Sequence, residues 1–386
     1  MRILFLCGCL EPAKDGVGDY VRSLAESCIL QGNECQIIAL NDRYVSQPME
    51  SADPVGETKL VSLRLPATLS WPRRIELAGA FRDRFQADWM SLQFVCYGFQ
   101  DKGIVWNLSR HLQALLSGCP VHLMFHELWI GINRNAPLKH RVVGALQRAS
   151  IRRMCSLVKP RLVTTSNPFY IAGLKSIGVE ASLLPLFGNI PIVDRSLGPG
   201  LPSPLGDAGI TPNNRSEWWV GLFFGVLYEW KPEPFMSILR SAAAKAGKRV
   251  CLLSLGRCGV VGHEIWTQAQ RDYPDISFLT VGEQPCDTVS LFMQTANFGI
   301  AASPWQKIGK SGSATAMLEH GLPVIVASHD HQPRFALSEP PSADPLLYGC
   351  DGMLESKLVN GLPQRPPQSR KEEIAARFCS MLLQNS

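Results

Sequence analysis

The chain has 386 residues, 46% of them hydrophobic and 18% charged, with a net charge of +5. That much apolar material excludes a disordered chain and suits two hydrophobic cores better than one. The small positive excess names no partner, and no apolar run approaches the length needed to span a bilayer.

The first seven residues, Met-Arg-Ile-Leu-Phe-Leu-Cys, are too short for a signal-peptide core and run straight into a Pro/Gly loop. Residues 3–6 form a short apolar strand of the kind buried in a parallel sheet. The loop Glu11-Pro-Ala-Lys-Asp-Gly-Val-Gly-Asp follows, then a helix to about residue 30 whose apolar stripe is Val21, Leu24, Ala25, Cys28 and Ile29. Gly32 ends it, and 35–40 is a second strand, which completes a βαβ unit. Gly16 and Gly18 suit both a tight turn and a ligand's close approach, while Asp19 is placed to cap the helix. Further strands are expected at 89–95, 121–125 and 162–165, with His126-Glu127 at the carboxyl end of the middle one.

From about residue 188 to 215 the chain is rich in Pro, Gly, Asn and Ser and reads as a linker or a surface excursion. Strand signals resume at 218–225, 250–255, 276–279, 298–302 and 324–327, with helices at 235–246, 264–270, 288–295 and 313–320. Gly256-Arg257 and Gly282-Glu283 fall at strand ends. A last helix spans 370–383. The expected architecture is α/β: two doubly wound, Rossmann-like domains facing across a cleft, where such folds bind ligands. Residues 1–188 form the first domain, 189–215 the linker and 216–362 the second domain. Residues 363–386 form a closing linker and a helix with the option of packing back on the first domain.

The most informative run is Ile308-Gly-Lys-Ser-Gly-Ser-Ala-Thr-Ala-Met-Leu-Glu-His-Gly-Leu-Pro-Val. A Gly- and Ser-rich turn opens a helix, whose N-terminal N–H groups and positive dipole end make a socket for an anion such as a diphosphate. Gly309, Ser311, Gly312 and Ser313 line that socket, Lys310 adds a charge, and Glu319 is placed to accept from sugar hydroxyls. The plainer reading is an ordinary loop, helix and strand with Gly321 as C-cap.

These residues resemble the GT-B glycosyltransferases of family 4 (glycosyltransferase group 1) over nearly the whole chain. The family's glycine loop after the first strand corresponds to Asp15-Gly16-Val17-Gly18-Asp19-Tyr20. Its two glutamates eight positions apart correspond to Ser311, a departure, and to Glu319, before Gly-Leu-Pro-Val. Its glycine-arginine-leucine strand end with a following lysine corresponds to Gly225-Val226-Leu227 and Lys231, where Val226 departs. The resemblance implies an enzyme of polysaccharide biosynthesis that moves a sugar from a nucleotide-diphosphate donor to a glycan or lipid-linked acceptor. It further implies retention of anomeric configuration and no metal or other cofactor. It places Glu319 on the ribose, His126 on the donor sugar, Lys231 on the leaving diphosphate and the Gly282 region at the base. Because Val226 and Ser311 replace a cation and an acid, Lys310 is expected to supply the missing positive charge. The alternatives are a sugar-nucleotide epimerase of the same fold and a non-catalytic sugar-nucleotide-binding protein.

Between residues 134 and 161 stand eight Lys/Arg residues (Arg134, Lys139, Arg141, Arg148, Arg152, Arg153, Lys159, Arg161) and no acid. Arg141, Arg148 and Arg152 share one helix face. The segment reads either as a solvated basic face or as a surface that adheres to anionic lipid, with the helix's apolar residues serving the core. No nucleic-acid-binding motif accompanies it. The twelve cysteines show no CxxC pair, which fits a reducing, cytoplasmic setting with an optional peripheral contact at a membrane's inner face.

Overall fold

A computed structural model describes residues 1–194, 202–227, 230–328, 332–337 and 344–386. The chain divides into two compact units. One comprises Met1–Pro185, Gln332–Glu339 and Lys371–Ser386, and the other Leu186–His331 and Pro340–Arg370.

The first unit is built on eight strands: β1 (Arg2–Cys7), β2 (Glu34–Asp42), β3 (Met49–Val55), β4 (Thr58–Pro66), β5 (Trp89–Phe94), β6 (Val121–Phe125), β7 (Leu162–Thr165) and β8 (Ser182–Leu183). Their order in the sheet is β3-β4-β2-β1-β5-β6-β7-β8. All neighbours are parallel except β3 and β4, an antiparallel hairpin. The central strands read as apolar runs because both of their faces are covered by helices; β5 and β6 are buried at every position. β3 carries the polar, proline-containing sequence Met-Glu-Ser-Ala-Asp-Pro-Val, which is tolerated because it lies at the sheet's edge. That composition hid it from sequence reading.

The chain's last helix, Lys371–Gln384, belongs to this first unit. Its fully buried Phe378 meets Phe5 of β1 at 5.7 Å between ring centroids and the ring of His122 of β6 at 5.1 Å. Arg377 donates to the carbonyl of Leu183 at 2.9 Å.

The second unit holds six parallel strands: β9 (Trp218–Phe224), β10 (Arg249–Leu255), β11 (Ser277–Gly282), β12 (Phe298–Ala301), β13 (Val324–Val326) and β14 (Leu347–Gly349), in the order β11-β10-β9-β12-β13-β14. Helices Phe235–Ala246, Val260–Asp272, Cys286–Thr295 and Gly312–Glu319 connect them. The stretch expected as a linker, 189–215, includes residues 195–201, which lie outside the described residues. Its described part is not free surface chain: a short helix, Ser203–Asp207, forms there, and Leu205 and Ile210 are buried in the second unit's core. Among the described residues no helix is long and apolar enough to cross a membrane.

Truncating Phe378 to alanine removes a ring from a packed core and is expected to destabilise the first unit by about 3–5 kcal/mol. Urea unfolding of the variant and the parent, followed by tryptophan fluorescence, measures the difference.

Candidate active site

The helix Gly312–Glu319 begins after a 3-10 turn, Trp305–Lys310. Ser311, where the resemblance expects a glutamate, is the helix N-cap: its Oγ accepts from the Ala314 N–H at 3.3 Å and lies 3.1 Å from the Ser313 Oγ. Capping ties up one first-turn donor, whereas the N–H groups of Gly312 and Ser313 have no partner that the helix itself can supply. Nothing lies within 4 Å of where a Cβ on Gly312 would sit, so the backbone there is open to approach. Lys310 closes the 3-10 turn beside this N-terminus.

Gly225 ends β9 with φ +92°, a conformation that strains any residue with a side chain. A Cβ on it would lie 3.9 Å from the Ser313 Cβ, so the β9 turn and the helix start are neighbours. Two further glycines with positive φ continue this edge. Gly225 N–H donates to Leu255 O at 2.9 Å, and Gly256 N–H donates to Gly282 O at 2.8 Å. The result is a ledge of bare backbone across the carboxyl ends of β9, β10 and β11. Arg257 and Glu283 pair at its rim at 2.9 Å, both well exposed. Val226, at the position of the expected arginine, points into solvent at 43% exposure.

On the other side of β9 a pocket of about 370 Å³ opens at the carboxyl ends of β13 and β14. Lys231, Glu233, Trp305, Ser328 and Asp351 are among its lining residues. Trp305 belongs to the same 3-10 turn as Lys310, which links the pocket to the helix start. Glu233 is held ionised below its ordinary range by hydrogen bonds from Ser237 and Tyr273. Sequence reading missed Trp305, Ser328 and Asp351. β14 was not recognised at all, and Trp305 and Ser328 lie just past strand ends, a position that could have marked them.

Glu319 has a different setting from the one expected for a ribose contact. It is 2% exposed, and its Oε1 accepts from the Gly188 N–H at 3.0 Å. The next residue, His320, accepts at Nε2 from Ser290 Oγ (2.9 Å), which itself receives the Val193 N–H (3.0 Å). The segment beginning at residue 186 is therefore stitched to this helix by two side chains in sequence. Gly188 permits the close approach: a Cβ there would sit 2.9 Å from the Ala316 Cα.

In the first unit the helix Gly16–Leu30 is capped by Asp15, whose Oδ1 accepts from Val17 N (2.9 Å) and Gly18 N (3.0 Å). Asp19, the expected cap, instead accepts from Ala13 N at 3.2 Å and so braces the loop. Gly18 is a packing requirement, because a Cβ would lie 2.4 Å from the Cys9 carbonyl oxygen, whereas Gly16 faces open space.

His126 follows β6 and is 8% exposed. Its Nε2 lies 2.8 Å from Gln93 Oε1, an atom that only accepts, so Nε2 carries the proton. Gln93 Nε2 then donates to Ser91 Oγ (2.8 Å), which lies 2.8 Å from His122 Nδ1, and His122 Nε2 lies 2.8 Å from Thr164 Oγ1. Both histidines are neutral within this chain. Burial enforces this by pushing each imidazole down to about 3. The neutral tautomer leaves the Nδ1 lone pair of His126 as an acceptor.

No family model matches the chain, and no curated protein matches it. Several solved structures do. The catalytic domain of starch synthase IV from Arabidopsis thaliana, bound to ADP and acarbose, aligns with 100% of this chain and 99% of its own at TM-score 0.56 and 10% identity. HepE from Anabaena, in complex with UDP and glucose, aligns over 100% of both chains at TM-score 0.54 and 12% identity. A glycosyltransferase from Rickettsia africae gives TM-score 0.53 at 10% identity, covering 100% of this chain and 98% of that one. The likeness shows the fold: two Rossmann-like domains of the GT-B kind.

Glu319→Ala strips the Gly188 N–H of its buried acceptor, and Gly188→Ala drives a methyl into backbone. Each is expected to cost about 1–3 kcal/mol in a thermal melt. Nucleotide affinity measured on the same Glu319 variant separates this anchoring role from a ribose contact, which alone would weaken binding in the surviving folded protein.

His122 and His126 also make stability depend on pH. Their native pKa values lie below the unfolded value of about 6.5, so the unfolded chain takes up the protons and stability falls as pH drops from there toward 3. Each contributes a loss of about 2 kcal/mol between pH 6.5 and 5. Melting curves across that range should show the fall, reduced in His122→Gln.

Proposed function

We propose that this chain is a glycosyltransferase that moves a sugar from a nucleoside diphosphate sugar to a glycan or lipid-linked acceptor, with retention at the anomeric carbon. The observation that carries the reading is the start of the helix Gly312–Glu319. Open N–H groups, a bare glycine beside them at Gly225 and lysines at 231 and 310 gather at the carboxyl edge of one parallel sheet. Such an edge suits a diphosphate better than any neutral ligand. The neighbours solved with ADP and with UDP support a nucleotide donor.

In the reaction the bond between the anomeric carbon and the diphosphate oxygen breaks, and the leaving nucleotide takes the electron pair. The acceptor hydroxyl bonds to the same face of the sugar, and its proton passes to the departing phosphate oxygen. Lys231, Lys310 and the helix dipole meet the growing negative charge, which lowers the barrier because they are stronger partners for the transition state than for the intact donor. Gly309, Ser311, Gly312 and Ser313 shape the phosphate turn, while Gly225 and Gly282 open the ledge for the nucleoside. His126 accepts a sugar hydroxyl at Nδ1, and Gly16 and Gly18 keep their loop slim. No cofactor is assigned. Twelve free thiols support a reducing, cytoplasmic setting for polysaccharide assembly.

A second reading, binding without transfer, is favoured by Ser311, whose hydroxyl is committed to the cap and cannot replace a carboxylate.

Thermal shift with UDP, GDP, ADP and TDP and their common sugars identifies the donor, since a ligand at a hundred times its Kd adds about 2.7 kcal/mol. With that donor, Lys231→Ala and Lys310→Ala should each lower turnover by about 10²–10³-fold. Stabilisation by a donor with neither transfer nor hydrolysis of it would favour the second reading. Unchanged rates in both variants would overturn the assignment of the lysines. Proton NMR of the new anomeric centre checks retention.

A further inference from the structure

The helix Leu138–Val158 carries the basic segment, and the structure places its two kinds of exposed residue together. Its buried face is Gly144, Gln147, Ser150, Ile151 and Met154. The rotation is pinned. Gly144 backs onto the main chain so closely that a Cβ would lie 1.9 Å from the Ile130 carbonyl oxygen. Gln147 donates to Tyr97 Oη and Lys102 O and accepts from Ile130 N, at 2.8–2.9 Å. Contrary to the expectation from sequence, the larger apolar residues do not serve the core. Leu138, Val142 and Leu146 are 70%, 55% and 48% exposed, and Ala145 and Ala149 fill the same outward row.

Three- and four-residue spacing sets this row on one face, opposite the core. Arg141, Arg148 and Arg152 run alongside it, all exposed, and no ion pair is recorded for any of them among the described residues. Trp106, 45% exposed, lies against Arg153 of this helix at 5.7 Å from ring centroid to guanidinium carbon. A solvated surface helix has no use for an outward stripe of Leu and Val. A protein partner would need acids to answer the arginines and an apolar groove for the stripe. An anionic bilayer surface offers both at once, with headgroup charge at the rim and acyl chain below.

We propose that the outward face of Leu138–Val158 is a membrane-docking surface: the row Leu138, Val142, Leu146 enters the interface of an anionic bilayer. Arg141, Arg148 and Arg152 pair with lipid phosphates, and Trp106 sits at headgroup depth. The inference stands independently of the transferase reading, because docking requires no donor or acceptor.

The test is flotation of the full chain with vesicles of phosphatidylcholine alone and of phosphatidylcholine mixed with phosphatidylglycerol, at low and high salt. The protein should partition onto the mixed vesicles and not onto the neutral ones. Arg141→Gln, Arg148→Gln and Arg152→Gln together should weaken partition about a hundredfold, at about fivefold per cation. Val142→Ser with Leu146→Ser should weaken it about tenfold or more, including the part that survives high salt. All five positions are exposed, so thermal melts of the variants should match the parent. Absence of binding to mixed vesicles, or unchanged partition in the arginine variant, overturns the proposal. Binding that ignores Val142 and Leu146 reduces it to surface adsorption and overturns the inserted stripe. Arginine-dependent binding to duplex DNA or RNA without vesicle partition overturns it in favour of nucleic acid.

Discussion

A parallel strand cannot follow its neighbour through a tight turn; the chain must cross back over the sheet each time. In both units this constraint places all the parallel strands' carboxyl ends along one edge and gives the loops there to whatever the protein binds. Gly225, Gly256 and Gly282, the Trp305–Lys310 turn and the residues after β13 and β14 share that edge in the second unit. They come from widely separated stretches of sequence. Their proximity follows from strand order, with β9 central between β10 and β12.

The edge is furnished with backbone more than with side chains. Where a carboxylate and a guanidinium were expected, Ser311 caps a helix and Val226 faces water. What the edge does present is the helix terminus, the glycine ledge, Lys231 and Lys310. Glu319 spends its charge inside the unit on the Gly188 N–H, and His320 adds a second tie through Ser290. The helix Gly312–Glu319 is thus fastened at its far end by buried polar groups. Each of these would be costly to leave unpaired.

The first unit handles polarity in another way. Its five-residue chain from His126 to Thr164 links side chains of β5, β6 and β7, and burial keeps both imidazoles neutral. At the carboxyl ends of β2 and β4, Asp42 is fully buried, which works against its charge. Hydrogen bonds from Arg64, Tyr44 and Leu10 nevertheless hold its carboxyl below the usual range. The polar groups of these two clusters are tolerated inside the unit because they have hydrogen-bond or ion-pair partners.

Sequence alone determined the two-sheet α/β architecture, since the apolar runs of β1, β2, β5, β6, β7, β9, β10, β12 and β13 are signatures of strands covered on both faces. The glycine turn that opens Gly312–Glu319 was legible for the same reason, because glycine and serine at a strand-to-helix junction have few other uses. Four strands escaped notice: β4 inside the sheet, and at the edges β3, which is polar and holds a proline, and β8 and β14, which have two and three residues and so no periodicity to read. Asp15 against Asp19 as cap depended on where the first turn begins, a matter of one hydrogen-bond register. Only tertiary structure decided that Glu319 faces Gly188, that His126 carries its proton on Nε2, and that Leu138, Val142 and Leu146 look outward. Helical spacing shows which residues share a face, but what lies against that face is set by residues far away in the chain: Ile130 and Tyr97 for the basic helix, Gly188 for the helix Gly312–Glu319.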